Sequence, residues 1–311
     1  MKLDPKAKAF LDMGAAAGDP PMSTLTPEQN RERTAGLKAL SGEPKPVAKV
    51  ESRMIPVEGA GIELRIYTPE GSGTFPLFVY FHGGGWVIGD VETVDTVCRN
   101  IAHESECVVA SVNYRLSPEH KFPVPVEDCY AAVQWVASHA QELQADASRL
   151  AVGGDSAGGN LAAVISQLAK ERRGPEISLQ VLIYPVTQVG CDTESYRDNG
   201  EGYFLTADSM QWFFQQYLNT DEEKTDVRVS PLLAEVLSGL PPALVITAEY
   251  DPLRDEGEMY AERLKQAGVS VELTRYDGMI HGFFWMAGIM DQGAQAISQV
   301  SSRLRSVFER L

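Results

Sequence analysis

A serine with a glycine two residues before it and another two residues after it is the feature of this sequence best suited to chemistry. Residues 154–158 read Gly-Asp-Ser-Ala-Gly and match the pattern G-x-S-x-G. The pattern directly follows an apolar run at 150–154 and directly precedes a helical stretch at 159–172. In this strand-turn-helix setting the serine occupies a strained turn, and the flanking glycines let the strand and helix backbones approach closely. We therefore expect Ser156 to be a nucleophile.

A glycine-rich turn at the start of a helix could instead bind phosphate. The segment VGGDSAGGN has no lysine after its glycines, so it lacks the pattern G-x-x-x-x-G-K-[ST] of phosphate-binding loops. It also lacks the dinucleotide-binding pattern G-x-G-x-x-G, and the charge of Asp155 would repel a pyrophosphate. Nucleotide binding is therefore not expected here.

The general base that such a serine needs is usually a histidine. The chain has 5 histidines. In enzymes that carry their nucleophile on this motif, the order along the chain is serine, acid, histidine, and only His281 follows Ser156. It lies in a loop after the last predicted strand, and sites of this kind assemble at the carboxyl ends of parallel strands. We expect His281 to be the base.

Several carboxylates between the serine and the histidine could orient the base. Asp251 is the first residue after a strand predicted at 242–250, which again places it at a carboxyl end. Its role would be to hold the imidazole in the right tautomer and to stabilise the imidazolium. Three other carboxylates fit this role less well. Glu249 lies inside the predicted strand, Asp255 lies one turn into the next helix, and Asp277 is too close to the histidine in sequence.

A second glycine-rich segment, HGGGW at 82–86, follows the third predicted strand. Acyl transfer places negative charge on the carbonyl oxygen, and glycine N–H groups can approach that oxygen because no Cβ stands in the way. We expect an oxyanion hole formed by the N–H groups of Gly84, Gly85 and Ala157.

Neighbouring residues are expected to support this segment. His82 and Gly83 would hold the loop by hydrogen bonds, and Trp86 would pack either against the substrate pocket or in the core. A further segment, YRLSPEHKFP, comes just after a predicted strand. Three of its side chains are predicted to form a buried polar clasp behind the loop: Arg115, Glu119 and His120.

The elements that position these residues are short apolar runs separated by amphipathic stretches of helical length. The predicted strands are 50–57, 62–68, 76–81, 107–114, 150–154, 179–185, 242–250 and 269–276. The predicted helices between them are 93–105, 126–143, 159–172 and 254–267. The first two strands should form a hairpin. Strands buried on both faces and separated by helices predict an α/β fold, with a mostly parallel eight-stranded sheet flanked by helices.

Two segments do not follow this alternation. Residues 1–45 contain two polar helical patterns, the second opening at Thr26 with proline at the first helical position. Residues 186–225 contain an amphipathic stretch at 207–218. We predict that both are helical cap segments over the active face, and that the catalytic domain comprises residues 46–185 and 226–311.

Composition excludes several classes of function. With 43 acidic and 27 basic residues the net charge is −16, which argues against nucleic acid as a partner. The longest nearly unbroken apolar run, 283–290, is too short for a membrane span, and the N-terminus lacks the apolar core of a secretory signal. We therefore expect a cytoplasmic protein without a membrane anchor. The 4 cysteines show no metal-binding spacing and are expected to be buried thiols.

Five motifs together resemble the hormone-sensitive-lipase-like carboxylesterases of bacteria. They are HGGGW (82–86), YRLSPEHKFP (114–123), GGDSAGGN (153–160), YDPLRDEG (250–257) and IHGF (280–283), in that family's order. The resemblance implies an α/β-hydrolase fold, with the family's nucleophile, acid and base at Ser156, Asp251 and His281. It also implies hydrolysis of short to medium acyl esters without cofactor or metal. Members of the family often dimerise, so a homodimer is one expectation.

The sequence does not decide which residues line the acyl pocket or which leaving group is cleaved. Four apolar side chains on the 207–218 stretch form a stripe that is either core or the lining of an acyl cleft: Met210, Phe213, Phe214 and Tyr217. The resemblance favours Met210 and Phe214 for substrate binding. The same triad could serve an amidase, a lactonase or a deacetylase, and the fold could also persist as a non-catalytic binding protein for small molecules.

Overall fold

The strands build one sheet in the structure, a computed structural model that describes residues 2–311. They are β1 (Lys49–Val57), β2 (Ala60–Thr68), β3 (Phe75–Phe81), β4 (Val108–Asn113), β5 (Ala145–Asp155), β6 (Leu179–Ile183), β7 (Ala243–Tyr250) and β8 (Val271–Ile280). Their order in the sheet is β1-β2-β4-β3-β5-β6-β7-β8.

The helices surround this sheet. They are α1 (Pro5–Ala17), α2 (Pro27–Ala35), α3 (Asp95–Ser105), α4 (Val124–Ser138), α5 (Ala157–Glu171), α6 (Glu194–Asn199), α7 (Ala207–Tyr217), α8 (Arg254–Gln266) and α9 (Asp291–Phe308). Short 3-10 helices lie at Met22–Thr24, Gly36–Ser41, Ala140–Leu143, Asp221–Thr225 and Pro231–Leu233. Within residues 2–311, no helix combines the length and the apolar character that crossing a membrane requires.

Strand pairing confirms the predicted mostly parallel sheet. β1 and β2 form the predicted antiparallel hairpin, with Val57 opposite Ala60, and β2 also pairs antiparallel with β4. The remaining pairs are parallel. β8 is longer than predicted, because its pairing with β7 continues past an irregularity to the pair Tyr250 and Ile280. Asp277 therefore lies within the strand, and the turn that follows starts directly at His281.

Two apolar cores form on the two faces of the sheet because side chains alternate along each strand. On β3, Leu77, Val79 and Phe81 belong to one core, and Phe78 and Tyr80 point to the other. The first core receives α4, α5, α7 and α8, and the second receives α3 and α9. Both faces are thus covered, as a parallel sheet requires.

The two segments outside the alternation of strands and helices, the N-terminal segment up to residue 45 and the inserted segment 186–225, contact each other. α2 begins as predicted, with Thr26 as N-cap in a capping box with Gln29. The rings of Phe10 on α1 and Phe204, which precedes α7, lie 5.3 Å apart with an edge-to-face geometry. The Ser23 hydroxyl also donates a hydrogen bond to the Asp208 carboxylate. The N-terminal segment and the inserted segment therefore form one continuous layer.

β3, β5 and α5 approach each other at backbone distance beside Ser156. A Cβ added to Gly154 would collide with the carbonyl oxygen of Phe81 and with the backbone of Gly158. A Cβ added to Gly158 would collide with the same carbonyl oxygen. This contact explains why both positions are glycine, since any larger residue would push the helix away from the sheet.

Replacing Gly158 by alanine should therefore destabilise the protein. We expect Gly158→Ala to lower the free energy of unfolding by about 1–3 kcal/mol or more, because the new methyl group has no space. The control is Gly14→Ala on α1, where a Cβ would meet no atom within 4 Å, and which should change that free energy by no more than about 1 kcal/mol. Urea unfolding measures both, and equal stabilities would contradict the close approach.

Candidate active site

Ser156 stands between the end of β5 and the start of α5. Its backbone has φ 57° and ψ −119°, a region that a residue with a side chain rarely adopts. The surrounding bonds hold it there, because its N–H donates to the Ile183 carbonyl at 2.8 Å and its carbonyl accepts from the Asn160 N–H at 3.0 Å. Strain of this kind is characteristic of functional sites. The serine is 8% exposed.

His281 lies immediately after β8, and its ring connects two other side chains. Its Nε2 is 3.0 Å from the Oγ of Ser156, and its Nδ1 is 2.7 Å from Oδ2 of Asp251. A carboxylate can only accept, so Nδ1 carries the proton in the neutral ring and donates it to Asp251. Nε2 then has a free lone pair that faces the serine hydroxyl. The structure thus brings together the three residues that the sequence singled out.

Asp251 follows β7 and is fully buried. Its second oxygen, Oδ1, accepts from the Leu253 N–H at 2.9 Å, which fixes the carboxylate plane. The alternative carboxylates have other partners. Glu249 accepts from the Gly278 N–H at 2.7 Å, Asp255 accepts from the Ser195 N–H at 2.8 Å, and Asp277 is exposed.

The segment 82–88, which we call the oxyanion loop after the role predicted for it, has an unusual backbone. Gly84, Gly85 and Trp86 have φ of 110°, 58° and 61° in succession. Two N–H groups, of Val87 and Ile88, donate to the Gly84 carbonyl at 3.0 and 2.9 Å and close the turn. Within residues 2–311 the N–H groups of Gly84 and Gly85 have no acceptor.

The N–H of Ala157 points from the neighbouring helix terminus. Ala157 is the first residue of α5, where N–H groups have no partner inside the helix. Together with Gly84 and Gly85 it supplies backbone donors that can receive negative charge.

Asp155 holds the oxyanion loop from the nucleophile side, a role that the sequence analysis missed. The side chain is buried, and its Oδ1 accepts from the Gly83 N–H at 3.0 Å and from the Tyr80 hydroxyl at 2.7 Å. Burial raises the pKa of this carboxyl above its ordinary value. The only available signal was a carboxylate inside an otherwise apolar strand end, which is costly unless it is hydrogen-bonded.

His82 lies beneath the same loop. Its ring stacks on Tyr114 at a centroid distance of 4.3 Å, and Nδ1 is 2.7 Å from the Gly83 carbonyl. Tyr114 in turn donates to the His82 carbonyl at 2.9 Å. Burial lowers the pKa of His82 to about 4, so the ring is neutral at neutral pH. Its ring contacts the Gly83 carbonyl and the Tyr114 side chain, whereas Ser156 is bonded to His281, which fits support of the loop rather than base chemistry.

The predicted buried clasp at 114–123 is wrong in part. Glu119 and His120 are exposed. Arg115 pairs with the buried Asp128 of α4 at 2.6 Å, and Glu119 pairs with Arg31 of α2 at 2.7 Å. Arg115 and Glu119 each pair with a side chain on a helix instead of with each other, and a local sequence pattern does not reveal such pairings.

The apolar stripe of α7 packs beneath the oxyanion loop. Trp86 is fully buried and stacks on Tyr217 with centroids 4.2 Å apart, while Met210 and Phe214 are 2% and 4% exposed. Whether the stripe is core or lines an acyl cleft stays a prediction, because a closed cleft would bury these side chains as a core does. The ring of Phe213 occupies the space where a Cβ of Gly85 would lie, so it rests directly on the loop.

An aromatic rim flanks the histidine, and sequence reasoning missed it. Phe204 is 41% exposed and has φ 73°, an outlier for a bulky side chain. A Cβ on Gly282 would lie 3.3 Å from the Phe204 ring and 3.0 Å from Nε1 of Trp285. Both rings therefore lie close to Gly282, the residue that follows His281, and their centroids are 6.3 Å apart. The Tyr184 ring lies 4.4 Å from the His281 ring.

The part of the chain that the structure describes offers few side chains for metal binding or thiol chemistry. Among residues 2–311, no three or more His, Cys, Asp or Glu side chains are arranged to hold a metal ion. The cysteines are free thiols, of which three are buried and Cys191 is half-buried. The expectation of buried thiols is thus wrong for Cys191, which lies in the inserted segment rather than in the sheet core.

Curated relatives cover most of this chain. It is 45% identical over 263 residues to the carboxylic ester hydrolase LipN of Mycobacterium tuberculosis, covering 83% of this chain and 70% of that protein. It is 37% identical to an ethyl acetate hydrolase of Pseudomonas putida, covering 98% and 99%. It is also 35% identical to an arylesterase of Saccharolobus solfataricus, covering 99% and 100%.

Solved structures and a family model agree with these relatives. An ester hydrolase from the metagenome of Lake Arreo superposes with a TM-score of 0.96 at 41% identity, covering 99% of both chains. The hyperthermophilic esterase of the archaeon Pyrobaculum calidifontis has a TM-score of 0.94 at 44% identity, covering 98% of this chain and 99% of that one. A family model described as alpha/beta hydrolase fold matches residues 78–285. The chain therefore belongs to the α/β-hydrolase family, among the hormone-sensitive-lipase-like carboxylic ester hydrolases.

Proposed function

We propose that Ser156, His281 and Asp251 are the catalytic triad with which this ester hydrolase forms and hydrolyses an acyl-enzyme. The observation that carries the proposal is the continuous chain of hydrogen bonds, 3.0 Å from serine to histidine and 2.7 Å from histidine to aspartate. The Ser156 Oγ attacks the ester carbonyl while His281 Nε2 takes its proton. That proton passes to the leaving alcohol, and a water molecule then repeats the sequence on the acyl-enzyme.

Asp251 serves this reaction without taking the proton. Its carboxylate holds Nδ1–H of His281 and stabilises the imidazolium that forms during each transfer. Complete burial strengthens this electrostatic contact, because water does not screen it.

The oxyanion of each tetrahedral intermediate is received by the N–H groups of Gly84, Gly85 and Ala157. Support comes from the free backbone donors of the loop and from the position of Ala157 next to the nucleophile. One such donor is typically worth about 2.7–4 kcal/mol in the transition state. His82 and Gly83 hold the loop, through the Gly83 carbonyl and N–H described above.

The substrates in this proposal are small-molecule esters with short to medium acyl chains. In this mechanism the leaving oxygen of the alcohol must lie within reach of His281 Nε2. We propose that residues 1–45 and 186–225 cover the site as a cap, which is supported by the ring contact between Phe10 and Phe204.

Removing the nucleophile tests the proposal most directly. Ser156→Ala should lower hydrolysis of p-nitrophenyl butyrate by at least about 10³-fold, because no other group can form the acyl-enzyme. Ser166→Ala on the same helix, whose hydroxyl only bonds the Ala162 carbonyl, should keep its activity. Both should retain wild-type circular dichroism.

Full activity in Ser156→Ala would exclude this serine as the nucleophile. A panel of matched p-nitrophenyl esters and p-nitroanilides then distinguishes the leaving groups. We expect ester cleavage to exceed amide cleavage, and the opposite ranking would indicate an amidase on the same triad.

The acid is tested by a matched pair of substitutions. Asp251→Asn should lower kcat by about 10³–10⁴-fold, because an amide cannot hold the histidine in the productive tautomer. Asp255→Asn, four residues away and bonded to Ser195 and Arg254, should change kcat by less than about 10-fold. The reverse ranking would move the role to Asp255.

The burial of His82 should appear as a pH dependence of stability. Its pKa is near 4 in the folded protein and about 6.5 when unfolded, so between these values only the unfolded chain binds the proton. Protonation of His82 should therefore lower the free energy of unfolding by on the order of 3 kcal/mol as pH drops from 6.5 to 4, measured relative to a variant without this histidine. His82→Gln should lack this slope, whereas His103→Gln, at an exposed site, should keep it.

Urea unfolding across this pH range measures the slope, and an NMR titration of the wild-type imidazole checks it independently of any variant. Protonation of His82 near pH 6.5 in the folded protein would contradict the assignment of a buried neutral ring.

A further inference from the structure

Arg31 of α2 reaches from the N-terminal segment to the backbone of the oxyanion loop. Its Nε donates to the Val87 carbonyl at 2.9 Å, and one of its terminal nitrogens donates to the Ser117 carbonyl at 2.9 Å. Val87 belongs to the oxyanion loop, and Ser117 lies in the segment behind it. One guanidinium therefore joins three parts of the chain that are distant in sequence.

Val87 and Ser117 each lie next to hydrogen bonds that hold the turn of the oxyanion loop, and the Val87 carbonyl shares its peptide group with the Ile88 N–H. The N–H groups of Val87 and Ile88 close the turn on the Gly84 carbonyl. The Ser117 N–H donates to the Trp86 carbonyl at 2.9 Å. Arg31 thus bonds to the loop at Val87 and, through Ser117, to the preceding peptide, so it restrains the stretch directly after Gly85.

Glu119 fixes the orientation of the guanidinium. Both terminal nitrogens of Arg31 donate to its two carboxylate oxygens at 2.7 Å, a bidentate pair that orders the planar group. The Arg31 side chain is 28% exposed and that of Glu119 is 47% exposed, so the pair contributes geometry more than stability. A lysine ammonium could not make both carbonyl bonds and the bidentate pair together.

An open cleft lies beside Arg31. Its volume is about 480 Å³, and it is lined by Arg31 and Glu119 together with Gly89, Tyr114 and Leu116. If the arginine were removed, water entering from this cleft could bond the Val87 carbonyl, but water would not tie the loop to α2.

We propose that Arg31 is a positioning residue for the ester hydrolysis: it holds the oxyanion loop in its productive conformation from the N-terminal segment. The inference rests on the proposed roles of Gly84 and Gly85. Arg31 does not contact the reacting atoms, and its effect passes through the loop backbone. The N-terminal segment accordingly contributes to stabilisation of the transition state in addition to covering the site.

Removing the guanidinium should lower kcat while leaving KM nearly unchanged. We expect Arg31→Met, which keeps an unbranched apolar stem, to lose about 10–100-fold in kcat, since complete loss of one oxyanion donor costs about 10²–10³-fold. Arg31→Lys should recover only part of this loss. Arg33→Met is the control, because Arg33 lies on the same helix but bonds only Asp19 and the Pro20 carbonyl. It should keep wild-type kcat.

A transition-state analogue distinguishes positioning from a general structural role. With a trifluoromethyl ketone, Ser156 Oγ adds to the carbonyl carbon, its proton passes to His281, and the ketone oxygen becomes an oxyanion. In Arg31→Met the inhibition constant should rise by about the same factor as kcat falls. A loss of kcat with an unchanged inhibition constant, or a kcat equal to that of Arg33→Met, would overturn the proposal.

Folding and the identity of the nucleophile are tested separately. If urea unfolding shows that Arg31→Met is unfolded, Glu119→Gln provides the milder variant, and it should lower kcat by a few fold and weaken the ketone in parallel. If Glu119→Gln folds and both its kcat and its inhibition constant for the ketone equal those of the wild type, the proposed role of Arg31 is refuted. Failure of the triad itself would instead appear as activity in Ser156→Ala, whatever Arg31 does.

Discussion

The backbone contact between Phe81, Gly154 and Gly158 is the constraint on which the site depends. It fixes β5 and α5 against β3, and Ser156 stands on the turn that this contact forces into a left-handed conformation. The oxyanion loop begins at the residue after Phe81, so the same contact positions Ser156 relative to the N–H groups proposed as oxyanion donors. Asp155 adds a hydrogen bond from the turn to the Gly83 N–H. The two halves of the site therefore cannot move independently.

Charge near the reaction centre is sparse and buried. Asp251 is the carboxylate bonded to the triad histidine, and the neutral ring of His82 adds no positive charge beneath the loop. Burial also raises the pKa of Glu256, which lies on α8 after Asp251, to about 8. The net charge of −16 is relevant to solubility, whereas in the proposed mechanism neutral backbone donors stabilise the intermediate.

The segments outside the sheet act on the site through particular contacts. α7 supplies Phe213 against Gly85, and the N-terminal segment supplies the guanidinium of Arg31 to Val87. Consecutive residues with positive φ persist only where surrounding contacts hold them, and these two contacts add to those that Asp155 and His82 make from the sheet. This explains physically why a cap would influence chemistry at a site whose reacting groups all lie on the sheet domain.

The sequence by itself determined the sheet class and the identity of the triad candidates. Apolar runs alternate with amphipathic helices, glycines flank Ser156, and a single histidine follows it, and each of these signals is local or depends only on chain order. Tertiary structure decided what depends on juxtaposition: Asp155 beneath Gly83, Phe213 on Gly85, Phe204 beside Gly282 and Arg31 on Val87. It also separated Glu119 and His120 from the predicted clasp. The reason is physical, because hydrogen bonds and ring contacts between residues far apart in the chain leave no periodic pattern in the sequence that could reveal them.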